Sequence, residues 1–173
     1  MKELMFSVFP SENFVDLGLY QFGYEQCEPA HSFGPAVRNH FLFHYIISGT
    51  GILMANDSHG VTQTYHVKSG QGFMIFPGQI NTYISDEKLP WEYTWIEFDA
   101  KETIELSGLS LDNPIYKATS KDLREILKEE LLYIASHGDA TPFHLIGHLY
   151  LAIDALIRST SIMQTSKISR LQD

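Results

Sequence analysis

A single cysteine, Cys27, stands in a chain of 173 residues, so no disulfide can form within it. No stretch approaches the roughly 20 apolar residues that span a bilayer, and the opening Met1-Lys2-Glu3-Leu4-Met5-Phe6 lacks the sustained apolar run of a secretory leader. These absences predict a soluble, cytoplasmic protein without a membrane partner. Positive charge is also scarce: Lys and Arg number 12 against 21 Asp and Glu, a formal net charge of −9. Nucleic acid is gripped by clustered cations that displace counterions from phosphates, and cations scattered among excess acid argue against strong DNA binding by this stretch. Glu25 and Glu28 beside Cys27 oppose thiolate formation, which disfavours a nucleophilic role.

What the chain does have is 44% hydrophobic residues, enough for one sizeable core. Short runs of β-branched and aromatic residues at 41–47, 51–55, 62–67, 72–76, 81–84 and 92–98 alternate with turn-forming Gly, Pro, Asn and Asp. Ser48-Gly49-Thr50-Gly51, Asn56-Asp57-Ser58-His59-Gly60, Lys68-Ser69-Gly70 and Pro77-Gly78 each tolerate tight or left-handed backbone. Such spacing predicts an antiparallel all-β unit, a sandwich or barrel.

The last of these strands is the most informative. In Pro90-Trp91-Glu92-Tyr93-Thr94-Trp95-Ile96-Glu97-Phe98 alternation puts Trp91, Tyr93, Trp95 and Glu97 on one face. Aliphatic residues usually fill a sheet core, because buried Trp and Tyr need partners for their polar atoms. This face is therefore read either as the wall of a small-molecule pocket or as an aromatic core with Glu97 at its wet edge.

After Lys101 the period changes. Thr119 with Asp122 forms a capping box, followed by Leu123, Ile126, Leu127, Leu131 and Ile134 at helical spacing and by Gly138 as a stop. A second helix is predicted from a Thr141 cap and Pro142 to about Met163, with Ile146, Leu149, Tyr150, Ile153 and Ile157 along one stripe. Leu145, Leu149, Ala152 and Leu156 make an adjoining stripe, so the apolar arc exceeds the roughly 100° that a surface helix needs. Either the helix is sunk in its own domain, or Leu145, Leu149, Ala152, Ile153 and Leu156 meet a second copy in a homodimer. From 166 onward the chain reads as a polar linker.

Gly34-Pro35-Ala36-Val37-Arg38, Tyr45-Ile46-Ile47-Ser48-Gly49-Thr50-Gly51, Gly70-Gln71-Gly72-Phe73-Met74-Ile75-Phe76-Pro77-Gly78, Tyr83 and the strand at 90–98 occur in an order that resembles the N-terminal effector-binding and dimerisation domain of AraC-type transcriptional regulators. The resemblance implies a mainly β fold, a cupin-like double-stranded β-helix barrel (jelly roll) followed by two or three C-terminal helices. It divides the chain into an effector-binding barrel with an N-terminal arm at 1–105, a helical dimerisation segment at 106–165 and a linker at 166–173. It also implies a small-molecule effector, often a sugar, and operator DNA bound only through a separate C-terminal helix-turn-helix domain. Arg38 matches an arginine that hydrogen-bonds sugar in such members, its fork of donors suiting adjacent hydroxyls, with an exposed ion-pairing group as the plainer reading. Tyr83, Tyr93 and Trp95 match pocket positions, Trp95 offering a flat face to the C–H side of a ring. Tyr93 replaces a histidine of the arabinose-sensing member, which leaves the sugar open. Glu97 and Trp91 join the candidates by alternation alone, and Trp91 reads equally well as core.

Many cupins are metal enzymes, which makes a metal-dependent enzyme acting on a sugar or small acid the alternative reading. Their first motif pairs two histidines, where this chain has His44 alone, and their second ends in a histidine where it has Asn81. His40 shares parity with Arg38 and His44, and a cation there disfavours metal. His44 is assigned to the ligand pocket instead. His144 and His148, one helical turn apart, lack a third ligand and read as an exposed polar face. No catalytic residue, metal or cofactor is expected.

Overall fold

The computed structural model describes residues 4–9 and 16–160, with Glu102 described by its backbone alone. Nine strands, β1 (Leu17–Gln26), β2 (Ser32–Ala36), β3 (Phe41–Ser48), β4 (Thr50–Asn56), β5 (Thr62–Lys68), β6 (Gln71–Ile75), β7 (Asn81–Ser85), β8 (Glu92–Ala100) and β9 (Ile115–Lys117), precede α1 (Lys121–Ser136) and α2 (Pro142–Arg158). They pair antiparallel into two sheets, ordered β1-β8-β3-β6-β9 and β2-β7-β4-β5. This is the strand order of a cupin-like jelly roll, with β9 added at one edge. All six predicted strands are present. β1, β2 and β9 were not predicted: Gly18 and Gly23 weaken the first, Gly34-Pro35 the second, and the third is only three residues long; each is held by pairing with β8, β7 or β6.

Alternation sorts the five-stranded sheet into two buried faces. Leu42, His44 and Ile46 of β3, Phe73 and Ile75 of β6, Tyr93 of β8 and Trp91 just before it point between the sheets. Phe43, Tyr45, Met74, Ile96 and Phe98 point the other way, into a second core completed by the helices. Ser120, not Thr119, caps α1, its hydroxyl accepting from the Leu123 N–H. Thr141 caps α2 with Pro142 in its first turn, as expected. α2 stops at Arg158, short of the predicted Met163, which lies outside the described residues. There the Thr119 N–H donates to the Ser159 carbonyl at 2.7 Å, and Tyr116 of β9 meets the Ser159 hydroxyl at 2.5 Å.

Leu145, Leu149, Ala152, Ile153 and Leu156 require a correction. All five are buried inside this chain's own core, beneath α1, β1 and the 3-10 helix Glu102–Ser107. The apolar arc is wide because α2 touches these neighbours on two sides at once, which leaves nothing of the five for a partner to reach.

Candidate functional site

Cross-strand register builds the site. One row across the sheet runs Gly23 of β1, Trp95 of β8, His44 of β3 and Phe73 of β6. The His44 imidazole lies in this row, nearly parallel to Phe73 at 4.7 Å and to Trp95 at 5.9 Å between ring centroids. Gly23 is required there, since an added Cβ would sit 2.5 Å from the Trp95 ring. From the opposite sheet, Tyr83 of β7 faces His44 at 4.9 Å and stacks on Phe33 of β2 at 5.3 Å.

Gln21, Glu25, His31, Phe33, Arg38, Leu42, His44, Tyr83, Tyr93 and Trp95 enclose a cavity of about 200 Å³. Arg38 lies in the loop between β2 and β3, where its carbonyl accepts from the Gly78 N–H at 2.8 Å. Asn81, buried nearby, donates to the Ala36 carbonyl and so ties down the end of β2 from which that loop departs. The guanidinium donates to Glu97 Oε2 at 3.0 Å and lies over the Phe33 ring at 5.0 Å. Five of the seven expected ligand-binding residues, Arg38, His44, Tyr83, Tyr93 and Trp95, thus line one cavity, and Glu97 joins them through Arg38.

Trp91 requires a correction. It is sealed in the barrel core, its indole N–H donating to the Val67 carbonyl at 3.0 Å and its backbone N–H to Ser85 Oγ at 2.7 Å. Sharing a face with Tyr93 and Trp95 was not enough, because the strand carries Trp91 past the cavity. Sequence reasoning missed Gln21, Glu25, His31, Phe33 and Leu42. Gln21, Glu25 and Phe33 sit on strands it did not predict and His31 in the turn between them, while Leu42 shares the His44 face of a predicted strand; only the alternation of Gln21, Gly23 and Glu25 hinted at the first two.

The electrostatics are those of a buried, uncharged floor. His44 is 2% exposed, and burial, reinforced by the Arg38 charge, lowers its pKa to about 3, so the ring is neutral at physiological pH. Burial pushes Tyr83 up to about 12 and Tyr93 higher still, so both phenols keep their protons. Burial also raises the Cys27 thiol, with the Glu25 charge adding to the effect. His44 Nδ1 and Arg38 Nε are buried without hydrogen-bond partners. A native fold rarely tolerates that, and a ligand able to accept and donate would satisfy both.

The other histidines lie elsewhere. His40 meets Asp99 Oδ1 at 2.5 Å and stacks on Tyr20, outside the cavity. His144 and His148 are not a plain polar face: they pack around Tyr133 with His137, Tyr133 Oη lying 2.6 Å from His144 Nε2 and Glu130 2.5 Å from His148 Nδ1. Among the described residues no group of three His, Cys, Asp or Glu is placed to hold a metal ion, and no helix is long and apolar enough to cross a membrane. A larger hollow of about 290 Å³, lined by Ser107, Asn113, Lys117 and Thr160 among others, has no aromatic wall and no buried unpaired polar atom.

Comparison with known proteins identifies the family. The family described as AraC-like ligand binding domain matches residues 18–153. The Msm operon regulatory protein of Streptococcus mutans is 33% identical over 161 residues, which cover 88% of this chain and 54% of that protein. The raffinose operon transcriptional regulatory protein RafR of Pediococcus pentosaceus is 37% identical over 98 residues, 55% of this chain and 34% of its own length. The chain thus spans about half the length, or less, of these relatives. Oxalate decarboxylase of Bacillus subtilis overlaps 70% of this chain and 29% of its own at a TM-score of 0.41 and 15% identity, too distant to bear on function.

Proposed function

We propose that this chain, which belongs to the AraC-like ligand-binding domain family, senses a sugar in the cavity between its two sheets and so controls a carbohydrate-utilisation operon. The observation that carries this reading is the Trp95 indole facing a cavity whose floor and rim hold Arg38 Nε and His44 Nδ1 unpaired. A sugar ring has one apolar C–H face and a rim of hydroxyls that both donate and accept. Trp95 meets the first, while Arg38, His44 and the two phenols meet the second. A volume of about 200 Å³ falls below the roughly 300–1,000 Å³ of drug-sized sites and suits one ring. The name of the raffinose operon relative points to the same ligand class.

Sensing requires that the ligand favour one arrangement over another. Leu4, Met5, Phe6, Val8 and Phe9 of the N-terminal arm are exposed, an apolar segment left uncovered. In our reading the effector gives the described part of this arm a surface to order on; the rest of the expected arm, at 10–15, lies outside the described residues. A homodimer remains part of the proposal, with its contact moved to the outer side of α2. There Phe143 is 90% and Leu151 52% exposed, and Gly147 between them has open space where a side chain would be. This i, i+4, i+8 stripe lets the helix of a second copy approach closely. DNA contacts, in this reading, belong to another part of the regulator, and the chemistry is binding without catalysis.

A thermal-shift screen against mono- and disaccharides tests the reading. A true effector at 100 times its dissociation constant adds roughly 2.7 kcal/mol of stability. A melting temperature that no sugar moves would sink it.

A further inference from the structure

We infer that Glu97 is a charge filter, cancelling the Arg38 cation so that the pocket takes an uncharged polyhydroxyl ligand and rejects phosphorylated or carboxylated ones. The choice of ligand class rests on the sugar reading above; the filter itself rests on the arrangement of charges. Arg38 is the only Lys or Arg among the residues lining the cavity. Its partner Glu97 is 3% exposed and holds the guanidinium at 3.0 Å, so the one fixed positive charge is matched by a buried negative one. Glu25, which receives the Tyr93 hydroxyl at 3.4 Å and lies 3.7 Å from His31, places a second carboxylate at the mouth. The imidazole at the floor adds no charge, because burial keeps it neutral.

An entering phosphate or uronate therefore meets two carboxylates and a cation already matched; the buried Glu97 charge is little screened, while that of Glu25 at the mouth is partly screened by solvent. A hydroxyl has no such difficulty. It donates to a carboxylate and accepts from the Arg38 guanidinium, whose Nε–H has no partner within the protein. The net charge of −9 repels anions at longer range as well. If Glu97 merely anchored Arg38, its loss would weaken every ligand alike; a filter predicts a gain for anions, which separates the two roles.

The test is calorimetric titration with paired probes, glucose against glucuronate and galactose against galacturonate, together with inorganic phosphate. The proteins are the wild type, Glu97→Gln, Glu25→Gln and the double variant Arg38→Gln/Glu97→Gln. Wild type is expected to bind each uronate at least about tenfold more weakly than its neutral twin, and phosphate comparably weakly. Glu97→Gln should gain at least about tenfold for a uronate or phosphate, as removal of a like-charge clash implies, and the double variant should lose that gain. Glu25→Gln, at the mouth, should gain about two- to threefold. Wild type binding a uronate as tightly as its neutral twin overturns the filter, and so does a folded Glu97→Gln with no gain for anions. If Glu97→Gln fails to fold, the wild-type pairs and Glu25→Gln decide. Failure of the sugar reading has a different signature: neither neutral sugar binds wild type, while Glu97→Gln still gains the anion.

Discussion

On one face of the five-stranded sheet, Phe43, Tyr45, Ile96 and Phe98 meet Leu131, Leu149 and Leu156 of the helices; on the other, His44, Tyr93, Trp95 and Glu97 meet Tyr83 and Arg38. The same strands supply both sets by alternation. The helical side is apolar and closed. The barrel side is aromatic and polar, and it holds Arg38 Nε, His44 Nδ1 and Asn81 Oδ1, three of the four buried unpaired side-chain atoms among the described residues. One face maintains the fold, while the other leaves hydrogen-bonding capacity unused in and beside the cavity. The two faces therefore respond differently to mutation.

The largest effect is expected on the closed side. Leu149→Ala removes a fully buried side chain and should cost about 2–5 kcal/mol, read by denaturant unfolding, with the affinity of the folded fraction for an effector unchanged. A loss below about 0.5 kcal/mol, the range typical of surface positions, would mean that α2 is not sealed against its own domain. On the open side, His44 gives a pH signature. Its folded pKa of about 3 lies below the unfolded value of 6.5. Between those values the unfolded chain holds a proton that the folded chain refuses, so stability falls as pH drops through that window. The slope is about 1.4 kcal/mol per pH unit for one proton. Above pH 7 the contribution is flat, and His44→Gln should remove it; equal acid slopes in variant and wild type would contradict the buried neutral ring.

Gly23→Ala sharpens the comparison further. Its new methyl would displace the Trp95 ring, lowering effector affinity about 10-fold or more while costing stability only about 1 kcal/mol. Affinity unchanged by calorimetry would show that Trp95 has room to move without consequence. The smallest effect on the fold is expected outside both cores. Phe143→Ser with Leu151→Ser should shift stability by no more than about 0.5 kcal/mol per site yet convert the proposed dimer to monomer by light scattering. A dimer that persists would move the interface elsewhere.

Much of this was legible in the sequence because short strands between Gly and Pro turns carry a period of two, and that period alone separated Tyr93 and Trp95 from Thr94 and Ile96. Register was not legible. Gly23 matters only because it pairs with Trp95, and no local pattern announces a partner about 70 residues away. Nor does alternation say how far along a strand a cavity extends, which is why Trp91, two residues before Tyr93, belongs to the core. The wide apolar arc of α2 suited burial in its own domain and burial against a partner equally well, and the packing of β1, α1 and the 3-10 helix decided between them.

The most direct measurement is calorimetric titration of wild type and Trp95→Ala with whichever sugar raises the melting temperature of the wild type. The expected result is binding to the wild type, at least a 100-fold (about 2.7 kcal/mol) loss in the variant, and unfolding of the sugar-free variant within about 2 kcal/mol of wild type, since the ring is only partly buried. Equal affinity in the two proteins would place the ligand somewhere other than the cavity between the sheets.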